Sequence, residues 1–276
     1  MIEAFLVAIF EIFFGKVPRP TPKMKRILLI MVCACVALSG IGCFFYFGYR
    51  FTWSLDDKGV LTIETGFLSD GAMPEYQFGE PNLKHDENAD MSEILYSEFP
   101  WFQRRKEITQ VILKYGVTSV SPAAFAGCVN LKQVYLPDSL TAIGNYAFND
   151  CYSLEYIAIP RSVTHIGWYA FNQCHSLEEV ELKLLRQLIL IGDYAFRNCD
   201  SLIYISLPRK YYTIHEGAFK NCSSLIEITI PDGVIRIEEY AFYGCDNLKS
   251  ASVWARTEIE DYAFPEWTEV TVREAE

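Results

Sequence analysis

The dipeptide Ala-Phe recurs along this chain at Phe125, Phe148, Phe171, Phe196, Phe219, Phe242 and Phe264, at intervals of 23, 23, 25, 23, 23 and 22 residues. Three residues after each of the first six stands a cysteine (Cys128, Cys151, Cys174, Cys199, Cys222, Cys245), and three further on a leucine (Leu131, Leu154, Leu177, Leu202, Leu225, Leu248). A period of this length is the mark of stacked structural repeats. One such unit cannot bury its own apolar side, so neighbouring units must cover each other and build a solenoid.

Within a unit the pattern predicts three short segments. Gln133–Pro137 alternates outward and inward as a strand does, and Pro137 ends it because it brings no donor to the next rung. A turn then returns Leu140 and Ile143 to the core, and Gly144, like Gly167 and Gly192, relaxes the backbone. A single helical turn follows in this reading, with Ala147, Phe148 and Cys151 on one face. About seven such units at about 4.8 Å per rung make a stack about 34 Å long. The fold class expected is mainly β with short helical turns.

Segments such as LTAIGNYAFNDCYSLEYIAIP and VTHIGWYAFNQCHSLEEVEL resemble the BspA-type leucine-rich repeats of bacterial surface proteins, over residues 108–264. WSLDDKGVLTIETG (Trp53–Gly66), then Gly71-Ala72-Met73-Pro74 and Pro100-Trp101, resemble the β-rich cap that opens such arrays. The resemblance implies a right-handed solenoid, a protein-binding or adhesive role, and no catalytic residues or cofactor. Departures are local. Lys183 and Trp254 replace the strand-ending Pro, two residues are inserted within Leu184–Ile191, Tyr211 and Tyr212 break the usual Ser-Val, and the last unit lacks its Cys.

The flanks complete the domain reading. In a cap spanning 48–107, Thr52–Leu55 and Val60–Ile63 form a hairpin around Asp56-Asp57-Lys58-Gly59. A long exposed loop runs to Pro100, with a helical turn near Met91–Phe99. Residues 265–276, with Pro265, Trp267 and a charged tail, are expected to close the other end.

Ahead of the cap, Ile27–Phe47 runs 21 residues without a charge, and about 31 Å of helix would match a bilayer core. Lys23, Lys25 and Arg26 precede it, which by the positive-inside bias keeps residues 1–26 in the cytoplasm and the repeats outside. The first 47 residues hold five of the chain's 24 Lys+Arg and two of its 35 Asp+Glu, so the outer part carries net −14. A start at Met24 would make residues 1–23 an upstream extension. Cleavage or lipidation near Gly42-Cys43 stays open beside an uncleaved anchor.

Composition excludes two classes. A chain that is 51% hydrophobic is not disordered, and one of net charge −11 offers no nucleic-acid surface. The six repeat cysteines share one slot, which reads as a buried packing position rather than a disulfide framework, and no C-x-x-C spacing marks zinc. The four histidines (His85, His165, His175, His215) fall at unrelated phases and read as surface residues. Glu179 and Glu181, about 7 Å apart along one strand, have the separation of glycosidase carboxylates, but a flat strand face supplies no cleft to raise an acid's pKa.

Function is therefore expected on outward side chains that the core does not explain. Tyr135, Tyr156 and Tyr204, around Glu179, Glu181 and Glu227, form a candidate protein-contact patch. A second tyrosine column before each Ala-Phe (Tyr146, Tyr169, Tyr194, Tyr240, Tyr262) reads as framework. The expected activity is a membrane-anchored, surface-displayed binding or adhesion module without catalysis. A scaffold of the cell envelope is the alternative, and a glycan-active enzyme the remote one.

Overall fold

In the computed structural model, the described residues are 41–46, 49–65, 99, 101–182, 185, 188–209 and 211–274. The helical turn expected at 91–99, apart from Phe99, and the first fourteen residues of the apolar run lie outside them. Residues 41–46 of the run are not helical, and Phe47 lies outside the described residues. Ile41–Tyr46 is a strand (β1), next in sheet order to β2 (Tyr49–Leu55). Aromatic and flanking glycine residues suit an extended chain better than a helix interior there. Among the described residues no helix is long and apolar enough to cross a membrane.

The unit Phe44–Glu276 is a solenoid opened by a hairpin. β2 pairs antiparallel with β3 (Val60–Thr65), setting Leu55 opposite Leu61 and Trp53 opposite Ile63. The two strands are longer than expected at their outer ends. Asp56 makes the turn, its Oδ1 accepting from the amides of Lys58 and Val60, both at 2.9 Å. Gly59 sits at φ 82°, and the Glu107 carbonyl leaves no room there for a Cβ. A 3₁₀ helix, Phe102–Glu107, then leads into the first rung.

Two series of short parallel strands follow. The first face carries β4 (Gln110–Leu113), β6 (Gln133–Tyr135), β8 (Tyr156–Ile157), β10 (Glu179–Glu181) and β12 (Tyr204–Ser206) behind β3, then β14 (Glu227–Thr229), β16 (Ser250–Trp254) and β18 (Glu269–Arg273). The second carries β5 (Ser119–Val120), β7 (Ala142–Ile143), β9 (His165–Ile166) and β11 (Leu190–Ile191), then β13 (Thr213–Ile214), β15 (Arg236–Ile237) and β17 (Glu258–Ile259). Both faces are interrupted at the same place, between β12 and β14 and between β11 and β13.

The third face corrects the expected helical turns. Its amides alternate between two kinds of partner. Ala147, Asn149 and Cys151 donate three residues back, to Gly144, Tyr146 and Phe148, whereas Tyr146, Phe148 and Asp150 donate to Trp168, Ala170 and Asn172 of the next rung at 2.8–3.0 Å. A helix would keep every such bond inside its own segment. Here half of them tie rung to rung, and the alternation needs two left-handed residues per unit. Tyr146 and Asp150 take them at φ 57° and 58°, and Tyr169, Gln173, Tyr194 and Asn198 repeat the pair. Asn149 and Asn172, and Asn198 and Asn221, bond side chain to side chain between rungs at 2.7 and 2.9 Å.

Under this turn face lies the core. Phenylalanine rings from Phe125 to Phe264 stack with centroids 5.1–5.6 Å apart, Trp101 adds a ring 5.8 Å before Phe125, and its indole donates to the Ala124 carbonyl at 2.8 Å. The six cysteines are free thiols, all buried. From Cys151 on, each Sγ donates to the carbonyl of the preceding rung's phenylalanine at 3.2–3.3 Å. Burial pushes the thiols of Cys151, Cys174, Cys199 and Cys222 upward, and that of Cys128 to about 12.

At the other end, β18 pairs in register with β16 as one more rung. Trp267 and Val272 remain exposed there, at 59% and 58%.

Candidate functional site: the outer strand face and its interruption

Register sorts the expected patch into two rows. Tyr156, Glu179 and Tyr204 are Cα partners on successive rungs, and Gln133 precedes them. Tyr135 belongs to the neighbouring row, paired with Ile112, and Glu181 pairs there with Ser206. Tyr135, Tyr156 and Tyr204 are exposed at 51%, 58% and 47%, as a contact patch requires, and the Glu179 and Glu227 side chains are exposed too. Ser206 is buried, although alternation places it outward. The patch is partly tied down, since the Tyr135 hydroxyl and Gln110 Nε2 both reach Gln133 Oε1, at 3.2 and 3.1 Å.

Two grooves lie on this face. One of about 510 Å³ is lined by Tyr156 and Glu179 with Asp138, Pro160 and Arg161. The other, of about 420 Å³, sits where the sheet is interrupted and is lined by Tyr204, Arg209, Glu227, Asp232, Trp254 and Arg273. Four of the six expected residues therefore fall into two separate grooves, and Arg161, Arg209, Trp254 and Arg273 add residues that the repeat pattern did not single out as binding groups. Trp254 had a visible signal, because it stands where other rungs end in Pro. Arg273 had none, because only the stacking of β18 brings its guanidinium 4.6 Å over the Trp254 ring and onto the Ile230 carbonyl.

Tyr211 accounts for the interruption on the second face. It occupies the buried slot of Leu140, Val163 and Val234, and its hydroxyl accepts from the Ile191 amide at 3.3 Å and donates to the Ile191 carbonyl at 3.2 Å. In earlier rungs the equivalent carbonyl accepts from a glycine amide, as Ile143 does from Gly167 and Ile166 from Gly192 at 2.8 and 2.9 Å. The phenol thus replaces a ladder bond with a wedge. Burial first, then the carboxylates of Glu238 and Asp193, hold that phenol well above its ordinary pKa.

The turn face runs through the same point unbroken. Tyr194, Phe196 and Asn198 donate to Glu216, Ala218 and Lys220 at 2.8–2.9 Å, and Phe196 stacks on Phe219 at 5.6 Å. The framework tyrosines stack as expected, Tyr146 on Tyr169 and Tyr169 on Tyr194, both at 5.0 Å. Gly217 opens a gap in that column. The Lys220 ammonium lies near the rings of Tyr194, Tyr240 and Tyr243, at 5.8, 5.1 and 5.8 Å.

His215 is not a bare surface residue. Its Nδ1 faces the Glu238 carboxylate at 3.2 Å and the Asp193 carboxylate at 3.9 Å. It stands in the slot of Gly144, Gly167 and Gly192, a departure that was legible in the repeat.

A stack of this kind, with three faces per rung and its Phe and Cys ladders, defines a leucine-rich repeat solenoid. The chain belongs to the BspA-type leucine-rich repeat family, whose model matches six copies over residues 99–189 and 181–272. Among solved structures it is similar to the leucine-rich repeat protein of T. pallidum, at 29% identity and TM-score 0.51, over 72% of this chain and 87% of that one. A leucine-rich repeat protein of Bacteroides ovatus shares 23% identity at TM-score 0.46, over 78% of this chain and 66% of that one. No curated protein matches significantly.

Proposed function

We propose that this chain is a protein-binding module of the cell surface, working by adhesion rather than catalysis and anchored through the apolar stretch that begins at Ile27. The observation that carries the reading is the outer strand face. Exposed Tyr156 and Tyr204 flank Glu179 in one row, and each opens into a groove that also holds an arginine. Aromatic and arginine side chains around shallow, mixed-charge depressions are what protein interfaces use as anchors. The net charge of −11 argues against nucleic acid as partner.

The test is made on one set of variants. Against a partner retrieved by cross-linking from host or bacterial surfaces, Tyr156→Ala and Tyr204→Ala should each weaken binding by about 1–3 kcal/mol while the melting temperature stays nearly unchanged. Unchanged affinity in the double variant removes the patch. The anchor is tested separately: proteinase added to intact cells should digest the repeats, and a protected repeat domain beside a cleaved surface control rejects the topology.

A further inference from the structure

We infer that Asp193, His215 and Glu238 form a binding site for one zinc-like divalent transition-metal ion that staples the solenoid across its interruption. The three residues come from three successive rungs, following β11, β13 and β15, so Asp193 lies on one side of the break and the other two on the far side. Their ligand atoms lie within 4.8 Å of one another, with His215 Nδ1 3.2 Å from Glu238 Oε2 and 3.9 Å from Asp193 Oδ1. Tetrahedral zinc with bonds of about 2.0–2.1 Å holds its ligand atoms about 3.3 Å apart. A small inward movement of Asp193 is therefore all that the triangle lacks.

The donor set decides the class of ion. One imidazole nitrogen with two carboxylates favours zinc and its neighbours over calcium or magnesium, which take oxygen shells of six or more. Three protein ligands leave a fourth position for water, and all three residues are half-buried, so the ion would keep solvent access. Among the described residues no other three such side chains converge. The His175–Asp200 contact at 2.7 Å is a one-to-one pair and serves as the internal control.

The position supports the assignment independently of the donors. Earlier rungs need glycine in the His215 slot because the preceding rung is too close. At Gly192 an added Cβ would come within 2.4 Å of Trp168, and at Gly167 within 2.4 Å of Asn145. At His215 the preceding carbonyl, that of Ile191, is taken by the Tyr211 hydroxyl instead. Beside this wedge the imidazole and the two carboxylates converge, Glu238 standing in the same slot one rung on. An ion at this point would restore a cross-rung link where both sheets have lost theirs.

The experiment uses the full-length chain with zinc chloride, and cobalt chloride as a spectroscopic stand-in. One zinc per chain should bind, the melting temperature should rise with zinc concentration, and cobalt should give visible d–d bands of a tetrahedral nitrogen–oxygen site. His215→Gln and Asp193→Asn should each weaken zinc at least tenfold, with His175→Gln equal to the parent. Asp193→Asn keeps the test open should the His215 variant fold poorly. Absence of stoichiometric zinc, or an undiminished affinity in Asp193→Asn or His215→Gln, overturns the site, as does an equal loss in His175→Gln.

Discussion

The turn face and the two strand faces pass the same point of the chain, between Ser206 and Glu227, and pass it differently. On the turn face the backbone bonds, the Phe196–Phe219 stack and the Cys222 thiol bond to Phe196 continue without a gap. On both strand faces the ladder stops, and a groove and a carboxylate–imidazole cluster take its place. Continuity of the array therefore rests on the turn face. There a residue must satisfy a fixed bond and a fixed ring spacing at once, whereas a strand carries only backbone bonds and leaves its outward side chains free. The bulky, buried Tyr211 is accommodated on a strand face, where the ladder gives way, and not on the turn face.

The largest effect expected from this contrast is alkaline destabilisation. Five buried thiols, Cys128, Cys151, Cys174, Cys199 and Cys222, hold their protons in the folded chain beyond the pH at which they ionise when unfolded, so their contribution is complete below about pH 9 and declines as pH rises toward 12, the value reached by Cys128. Above pH 9 each thiol should cost up to about 1.4 kcal/mol per pH unit. Urea unfolding with reductant at pH 7, 9 and 10.5 measures this, and Cys174→Ala should show a shallower slope by one thiol's share. A flat profile would deny the buried ladder its role.

Next in size is Phe171→Ala, which removes a ring from the middle of the stack and should cost about 3–5 kcal/mol in thermal or urea unfolding. Equal losses for Phe171→Ala and Tyr156→Ala would erase the distinction between the two faces.

Smallest, and aimed at the interruption itself, is Tyr211→Phe. It keeps the wedge but leaves the Ile191 amide and carbonyl without the hydroxyl, at a cost of about 1–3 kcal/mol. A variant as stable as the parent would mean that the rungs close by themselves and that the phenol is only filler.

Much of the fold was legible because the period repeats the same physical demand. Phe171, Cys174 and Leu177 recur in phase since each must fill the same volume under the next rung, and the hairpin at Asp56–Gly59 announces itself by turn chemistry. The spacing of Ala147, Phe148 and Cys151 misled, because one face at i, i+1 and i+4 is shared by a helix and by a turn stabilised from the neighbouring rung. A single unit's sequence does not distinguish bonds made within it from bonds made to its neighbour.

By itself, then, the sequence determined the family, the number and length of the rungs, the buried Phe–Cys core and which strand residues face outward in most rungs. Those are local properties, renewed every 23 residues by burial and alternation. Only the tertiary structure decided that Tyr156, Glu179 and Tyr204 share one row while Tyr135 lies in the next, that Arg273 folds over Trp254, and that Asp193, His215 and Glu238 converge. Each of these depends on the register between rungs and on where the ladder breaks, and a break set by one buried hydroxyl on a carbonyl twenty residues away has no signature in the spacing of either residue alone.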